Sequence, residues 1–200
     1  MYIRFPALVA VRLAMMAMAW GASLPVQAQA DEALWTTVRS EPNIVLVLRH
    51  GEIAPQRGQS GTTYDASGQC RDEVMLSAKG RQTSERVGQI FRERGVRPHV
   101  VSSAMCRTRD TAMLAFGAAE LDAALRESFS GDQQRFREFL DASTRWILRY
   151  RGTTPLVLVM HLPNIDSLTG EQPEHGEMLV ARSTPKGELD VLGRIVLYRP

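Results

Sequence analysis

Two stretches of the chain, Ile44-Val45-Leu46-Val47-Leu48 and Leu156-Val157-Leu158-Val159-Met160, are apolar at every position. That pattern belongs to parallel strands covered on both faces. A shorter apolar stretch predicts a further strand over residues 99–102, and two more are expected over 177–182 and 193–199, around a Pro185-Lys186-Gly187 turn. Helical periodicity predicts helices over 33–39, 78–94, 106–116 and 133–150. Ser77 is placed to cap the second and Gly95 to stop it, and in the last one Phe136, Phe139, Leu140, Ile147 and Leu148 share a face. Residues 52–75 follow neither period and are rich in Gly, Ser, Thr and Gln, so they form a long loop, a length usually kept for function or left without order. Strands alternating with helices predict an α/β fold, a three-layer α/β/α sandwich around a mostly parallel sheet. Ligands of such sheets bind beyond the carboxyl ends of the strands, where His50 and His161 stand.

The first thirty residues change how composition is read. They carry Arg4 and Arg12, no acidic residue, an apolar stretch over 13–24 and then Ala28-Gln29-Ala30 before Asp31-Glu32. A basic start, a short apolar core and a small-x-small site predict a secretory signal peptide over residues 1–30, cleaved after Ala30, with residues 31–200 as a single periplasmic or secreted domain. The whole chain has 24 basic and 22 acidic residues, net +2, but both N-terminal arginines leave with the signal, so the remaining domain is neutral. A neutral domain has no global field to recruit nucleic acid or an anionic membrane, and no later segment is apolar for long enough to insert stably in a bilayer.

Export also bears on the only two cysteines, Cys70 and Cys106. In an oxidising compartment an even pair is expected to be disulfide-bonded. Neither is placed as a phosphatase nucleophile of the cysteine type, because Leu76 and Ala112 stand where that chemistry needs an arginine.

Three ordered motifs carry more specific information. Arg49-His50-Gly51 ends the first apolar strand; Ser102-Ser103 lead to Arg107, four residues before Thr111; and His161-Leu162-Pro163-Asn164 ends the later apolar strand. With Leu76-Ser77-Ala78-Lys79-Gly80 opening a helix, they resemble the histidine phosphatase superfamily, the phosphoglycerate mutase-like group, over nearly the whole exported domain. The resemblance implies a phosphoglycerate mutase-like fold and a nucleophilic His50, with Arg49, Arg107 and His161 forming the phosphate pocket. It implies no metal and no cofactor, and a small-molecule phosphate ester as substrate. Small exported relatives extend that class to phosphorylated sugars and lipopolysaccharide core components. Larger mutase insertions do not fit the length, and the H-D-x-N pattern of phytase-type relatives is absent.

Physical chemistry points the same way. A phosphoryl group in transfer spreads negative charge over its equatorial oxygens, which planar guanidinium forks on Arg49 and Arg107 can bind. A neutral imidazole on His50 can attack phosphorus, and water can then hydrolyse the phosphohistidine. The leaving alkoxide needs a proton. Leu125-Arg126-Glu127-Ser128-Phe129-Ser130-Gly131 has the spacing of the family's acid segment, so Glu127 is the first candidate, with Glu52 and Glu177 as rivals. His99 and His175 are expected to be structural, and Arg71 and Arg109 solvated. The alternative reading is a non-catalytic phosphate-binding module, distinguished by the lack of an acid.

Overall fold

The computed structural model describes residues 26–128, 131–150 and 152–197. The expected export segment lies outside the described residues up to position 25. Helix α1 (Val26–Ser40) begins before Ala30, so the expected cleavage point falls inside it.

Among the described residues six strands form one sheet. β1 (Ile44–Arg49) lies in its interior, parallel to β4 (Leu156–Met160) on one side and antiparallel to β5 (Glu177–Ser183) on the other. β2 (His99–Ser103) runs parallel to β4 and to the edge strand β3 (Glu120–Asp122), while β6 (Leu189–Val196) closes the opposite edge against β5. The mostly parallel α/β architecture is therefore as expected.

The alternation along β1 explains the three layers. Ile44, Leu46 and Leu48 point to one face, where they meet Trp35 and Val38 of α1, Val87 and Phe91 of α2 (Ala78–Glu93), and Ala112 of α3 (Cys106–Phe116). Val45 and Val47 point to the other, against Phe139 and Ile147 of α4 (Gln133–Arg149) and Ile165 of α5 (Leu162–Thr169). A strand packed on both faces has no room for polar side chains, so it reads as a continuous apolar run. Each fully buried aliphatic contributes roughly 1.5–3 kcal/mol.

Several boundaries differ from the sequence expectation. α2 starts as expected, with Ser77 Oγ accepting from Gly80 N at 2.9 Å. Helix α5 is not predicted by the sequence pattern; it is only eight residues long, with Pro163 in its first turn, and ends at Gly170 in the left-handed conformation (φ 70°). Nor is β3, because this short edge strand keeps Glu120 and Leu121 exposed and so carries no buried pattern. β6 begins at Leu189 rather than at Gly193, since its polar and half-buried positions mark an edge strand.

Candidate active site

Because β1 and β4 are parallel neighbours, their carboxyl ends open on the same edge. His50 N donates to Met160 O at 3.0 Å, which joins the two strand ends, and the rings of His50 and His161 stand 5.4 Å apart. The His50 ring is buried with Nδ1 2.8 Å from Gly51 O. A carbonyl only accepts, so Nδ1 carries the proton and Nε2 keeps its lone pair. Burial and the neighbouring Arg107 push the His50 pKa down to about 3, which keeps the ring neutral. His161, fully enclosed, is lowered for the same two reasons. The glycine after His50 is needed for space: a Cβ on Gly51 would lie 2.7 Å from Gly80 O, and one on Gly80 only 2.0 Å from Glu52 O. The two glycine motifs are thus one contact between the His50 turn and the start of α2.

Arg107 sits in the first turn of α3 and is almost completely buried. Its Nε donates to His50 Nε2 at 3.3 Å, and Nη2 donates to Gly61 O at 2.8 Å and to Glu127 Oε2 at 2.5 Å. Arg49 donates from Nη1 to Pro173 O at 3.3 Å and lies 4.0 Å from a Glu174 oxygen. Ser103 Oγ shares a hydrogen bond with His161 Nε2 at 3.0 Å. Arg49 Nε, Arg107 Nη1 and His161 Nδ1 are buried and have no hydrogen-bond partner among the described residues. Unsatisfied buried polar atoms are costly, so three of them at one strand edge mark a place built for polar oxygens from outside the chain.

Glu127 is held from behind. Asn164, wholly buried in α5, accepts from Ser128 N at 2.9 Å through Oδ1 and donates to Leu125 O and Arg126 O at 3.3 and 3.0 Å. Arg135 of α4 donates to Glu127 O from Nε and Nη2, at 2.9 and 3.0 Å. Burial raises the Glu127 pKa and outweighs the opposing pull of Arg107. The rivals point elsewhere. Glu52 accepts from Ser77 Oγ at 2.8 Å and faces Lys79, and Glu177 is bound by Arg194 at 2.8 Å and by Glu174 N at 2.9 Å.

The long loop is fastened to the start of α3. Cys70 and Cys106 are disulfide-bonded, as expected, with Cα atoms 5.8 Å apart. The buried carboxylate of Glu73 accepts from Cys106 N and Asp65 N, each at 2.8 Å. Arg109, expected to be solvated, instead reaches Gly68 O at 2.9 Å and Cys70 Sγ at 3.0 Å. The reason is that the disulfide brings the loop across the face of α3. Arg71 is exposed.

Among the described residues no group of three or more His, Cys, Asp or Glu side chains is placed to hold a metal ion. The sequence model of the histidine phosphatase superfamily, branch 1, matches residues 45–156. The chain belongs to that superfamily. The matched segment of this histidine phosphatase includes Arg49, His50, Arg107 and Glu127 and ends before His161. Phosphatases and mutases make up the superfamily, so phosphoryl transfer is the class of activity that membership brings.

Solved structures share the fold. A Thermus thermophilus protein, TTHB049, is 19% identical with a TM-score of 0.52, over 76% of this chain and 98% of its own. The open reading frame Rv3214 of Mycobacterium tuberculosis is 20% identical with a TM-score of 0.51, covering 76% and 96%. A phosphoglycerate mutase from Thermus thermophilus is 20% identical with a TM-score of 0.53, covering 76% and 98%. No curated protein matches the chain.

Two residues of this histidine phosphatase site have no assigned role in the sequence reading. His175, expected to be structural, donates from Nδ1 to the His50 carbonyl at 2.8 Å, with its ring 5.5 Å from the His50 ring. Its signal is positional: it lies just before β5, whose Met178 pairs with Leu48 at the end of β1. Glu73 carries no sequence signal, because its partners come from α3 and the loop. His99 is structural as expected, 3.0 Å from Glu120 and stacked on Tyr150.

Proposed function

We propose that this protein is an exported phosphomonoesterase that works through a covalent phosphohistidine on His50. The observation that carries the reading is the state of the His50 ring. Its Nδ1 proton is committed to Gly51 O, and its Nε2 lone pair faces the Arg107 guanidinium at 3.3 Å. A nucleophile oriented by one hydrogen bond and facing a cation is ready to meet an anionic phosphoryl group.

In the first step His50 Nε2 attacks phosphorus as the ester P–O bond breaks, and Glu127 gives its proton to the departing alkoxide. Arg49, Arg107 and His161 take the equatorial oxygens with the atoms they leave unpaired. In the second step water attacks the phosphohistidine, the P–N bond breaks, the Glu127 carboxylate accepts the proton and inorganic phosphate leaves. His50 returns to its Nδ1–H tautomer. No step needs a metal, and the substrate is a small phosphate ester, with phosphorylated sugars and lipopolysaccharide core components as the class the resemblance favours.

The Arg107–Glu127 contact favours catalysis over a purely binding role, since the acid that a binding module would lack stands on the phosphate-binding arginine. The basic-apolar-small N-terminal pattern and the Cys70–Cys106 bond support export to the periplasm or the medium. The test is rapid mixing with a radiolabelled aryl phosphate. A base-stable, acid-labile phosphoenzyme and release of inorganic phosphate are expected from the native protein, with neither from His50→Ala. Label that survives in His50→Ala, or no turnover at all, would overturn the reading.

A further inference from the structure

Besides the three unpaired atoms of the proposed phosphate pocket, one more buried side-chain atom has no hydrogen-bond partner among the described residues: Nε of Arg126, the residue next to Glu127. The Arg126 guanidinium lies over the Tyr64 ring, 4.7 Å from its centre, and forms no salt bridge among the described residues. Other arginines are neutralised directly, Arg182 by Glu41 and Arg194 by Glu171 and Glu177. Arg135 adds a second cation beside it. Two of its guanidinium nitrogens are spent on the Glu127 carbonyl and it has no carboxylate within ion-pair distance among the described residues; the Arg126 charge acts on it, and so, in the opposite sense, do Asp132, Glu138 and Glu127 from farther away.

The Arg126 arrangement is built rather than accidental. Its backbone carbonyl is held by Asn164 Nδ2 at 3.0 Å, and Tyr64 precedes Asp65, whose N–H is fixed on Glu73. Stacking on an aromatic face immobilises a guanidinium while leaving its in-plane N–H groups free to grip an oxyanion. Both Arg126 and Tyr64 are only half-buried, so the position is open to a ligand. Gly61, whose carbonyl is on Arg107, lies in the same loop segment as Tyr64.

We infer that Arg126, stacked on Tyr64 and backed by Arg135, is a subsite for a second anionic group of the substrate. The substrate is then a phosphate ester that carries another phosphate or a carboxylate, not a monoester with a neutral remainder. The inference rests on the phosphatase reading for the position of the first phosphate. It extends that reading from a reaction type to a substrate class.

Titration calorimetry on the full chain bearing His50→Ala, which cannot turn over, tests it at fixed ionic strength. Fructose 1,6-bisphosphate is compared with fructose 6-phosphate, and 6-phosphogluconate with glucitol 6-phosphate, so that a second phosphate and a carboxylate are read separately. At least one doubly anionic ligand should bind about tenfold more tightly than its partner. The ratio should fall to about one when Arg126→Gln is added and recover in part with Arg126→Lys, which keeps the charge. Equal affinities within both pairs, or a ratio that survives Arg126→Gln, would overturn the inference. Because binding is read without turnover, absence of a phosphohistidine in the native protein sinks the phosphatase reading and leaves this ratio to be judged on its own.

Discussion

Arg107 holds the Glu127 carboxylate at 2.5 Å with the same guanidinium whose Nε faces the His50 ring. The proposed phosphate-binding cation and the proposed proton donor are therefore in contact before any substrate arrives. On the proposed mechanism an incoming phosphoryl group competes with Glu127 for Arg107, and the displaced carboxyl serves the leaving oxygen. Partial burial, which raises its pKa, favours the protonated form it needs as an acid.

Glu127→Gln separates the two roles. A glutamine cannot give a proton, so kcat/KM on alkyl phosphates should fall by about 10²–10⁴-fold. An aryl phosphate with a strongly stabilised phenolate needs no proton and should lose less than about tenfold. Steady-state kinetics over a series of leaving groups reads this as a steeper dependence on leaving-group pKa. An equal loss across the series would show that Glu127 does not act as the acid.

On the proposed mechanism the same groups set the pH dependence of activity. His50 stays neutral down to about pH 3, so it does not set the acid limb at ordinary assay pH. Glu127 must be protonated, and its raised pKa places the alkaline limb above the usual carboxylate range. An acidic optimum is expected, with kcat/KM on alkyl phosphates declining as pH rises, and that decline should be missing in Glu127→Gln. A profile that is flat or rises from pH 5 to 8 is the contrary result.

Stability should move in the opposite sense. His50, His161 and His175 all have pKa values lowered by burial, so below about pH 6.5 the unfolded chain binds protons that the folded chain refuses. Their contribution is complete above that pH and is lost as pH falls, by up to about 1.4 kcal/mol per pH unit for a histidine as buried as His50. Glu127, with its raised pKa, opposes this slope in the window above its unfolded value. Thermal unfolding from pH 7 to 4 should show a falling Tm, with a shallower slope in His50→Gln. An unchanged slope in that variant would mean that His50 is not held neutral.

These contacts show which parts of the site are legible in the chain. β1 and β4 are legible because strands covered on both faces leave continuous apolar runs, and His50 and His161 mark where those runs end. Arg107 is legible from its motif and Glu127 from its spacing. Glu73 and His175 are not, because they reach Cys106 and His50 across 33 and 125 residues, and no local period records such a contact. β3 and α5 are hidden for a different reason: each is too short to show a period, and both are defined by what they pack against.

The Cys70–Cys106 bond fastens to α3 the long loop that supplies Gly61 O to Arg107. Cutting it in Cys70→Ser/Cys106→Ser should cost about 2–4 kcal/mol and lower Tm by roughly 5–10 °C. KM should rise more than kcat falls, because the loop orients the binding arginine and touches no reacting atom. Identical melting and KM in the double variant would remove the loop from substrate binding.

Asn164 offers the sharpest separation of structure from chemistry. Among the described residues it forms no hydrogen bond to His50 or Arg107, yet its four hydrogen bonds, two from Ser128 and one each to Leu125 O and Arg126 O, fix the chain on both sides of Glu127. Asn164→Ala leaves a buried N–H and two carbonyls without those partners, at a cost of about 2–4 kcal/mol. Asn164→Asp keeps an acceptor for Ser128 N but loses the donor to Leu125 and Arg126, so it should restore little. If the residue acts by positioning the acid, both variants will lose activity on alkyl phosphates well beyond their loss on activated aryl phosphates, matching the selectivity of Glu127→Gln. Phosphohistidine formation from an aryl substrate should persist in both, because Nε2 of His50 is oriented by Gly51 and not by this segment. Equal losses on both substrate types, with no phosphoenzyme, would instead assign Asn164 to the fold alone.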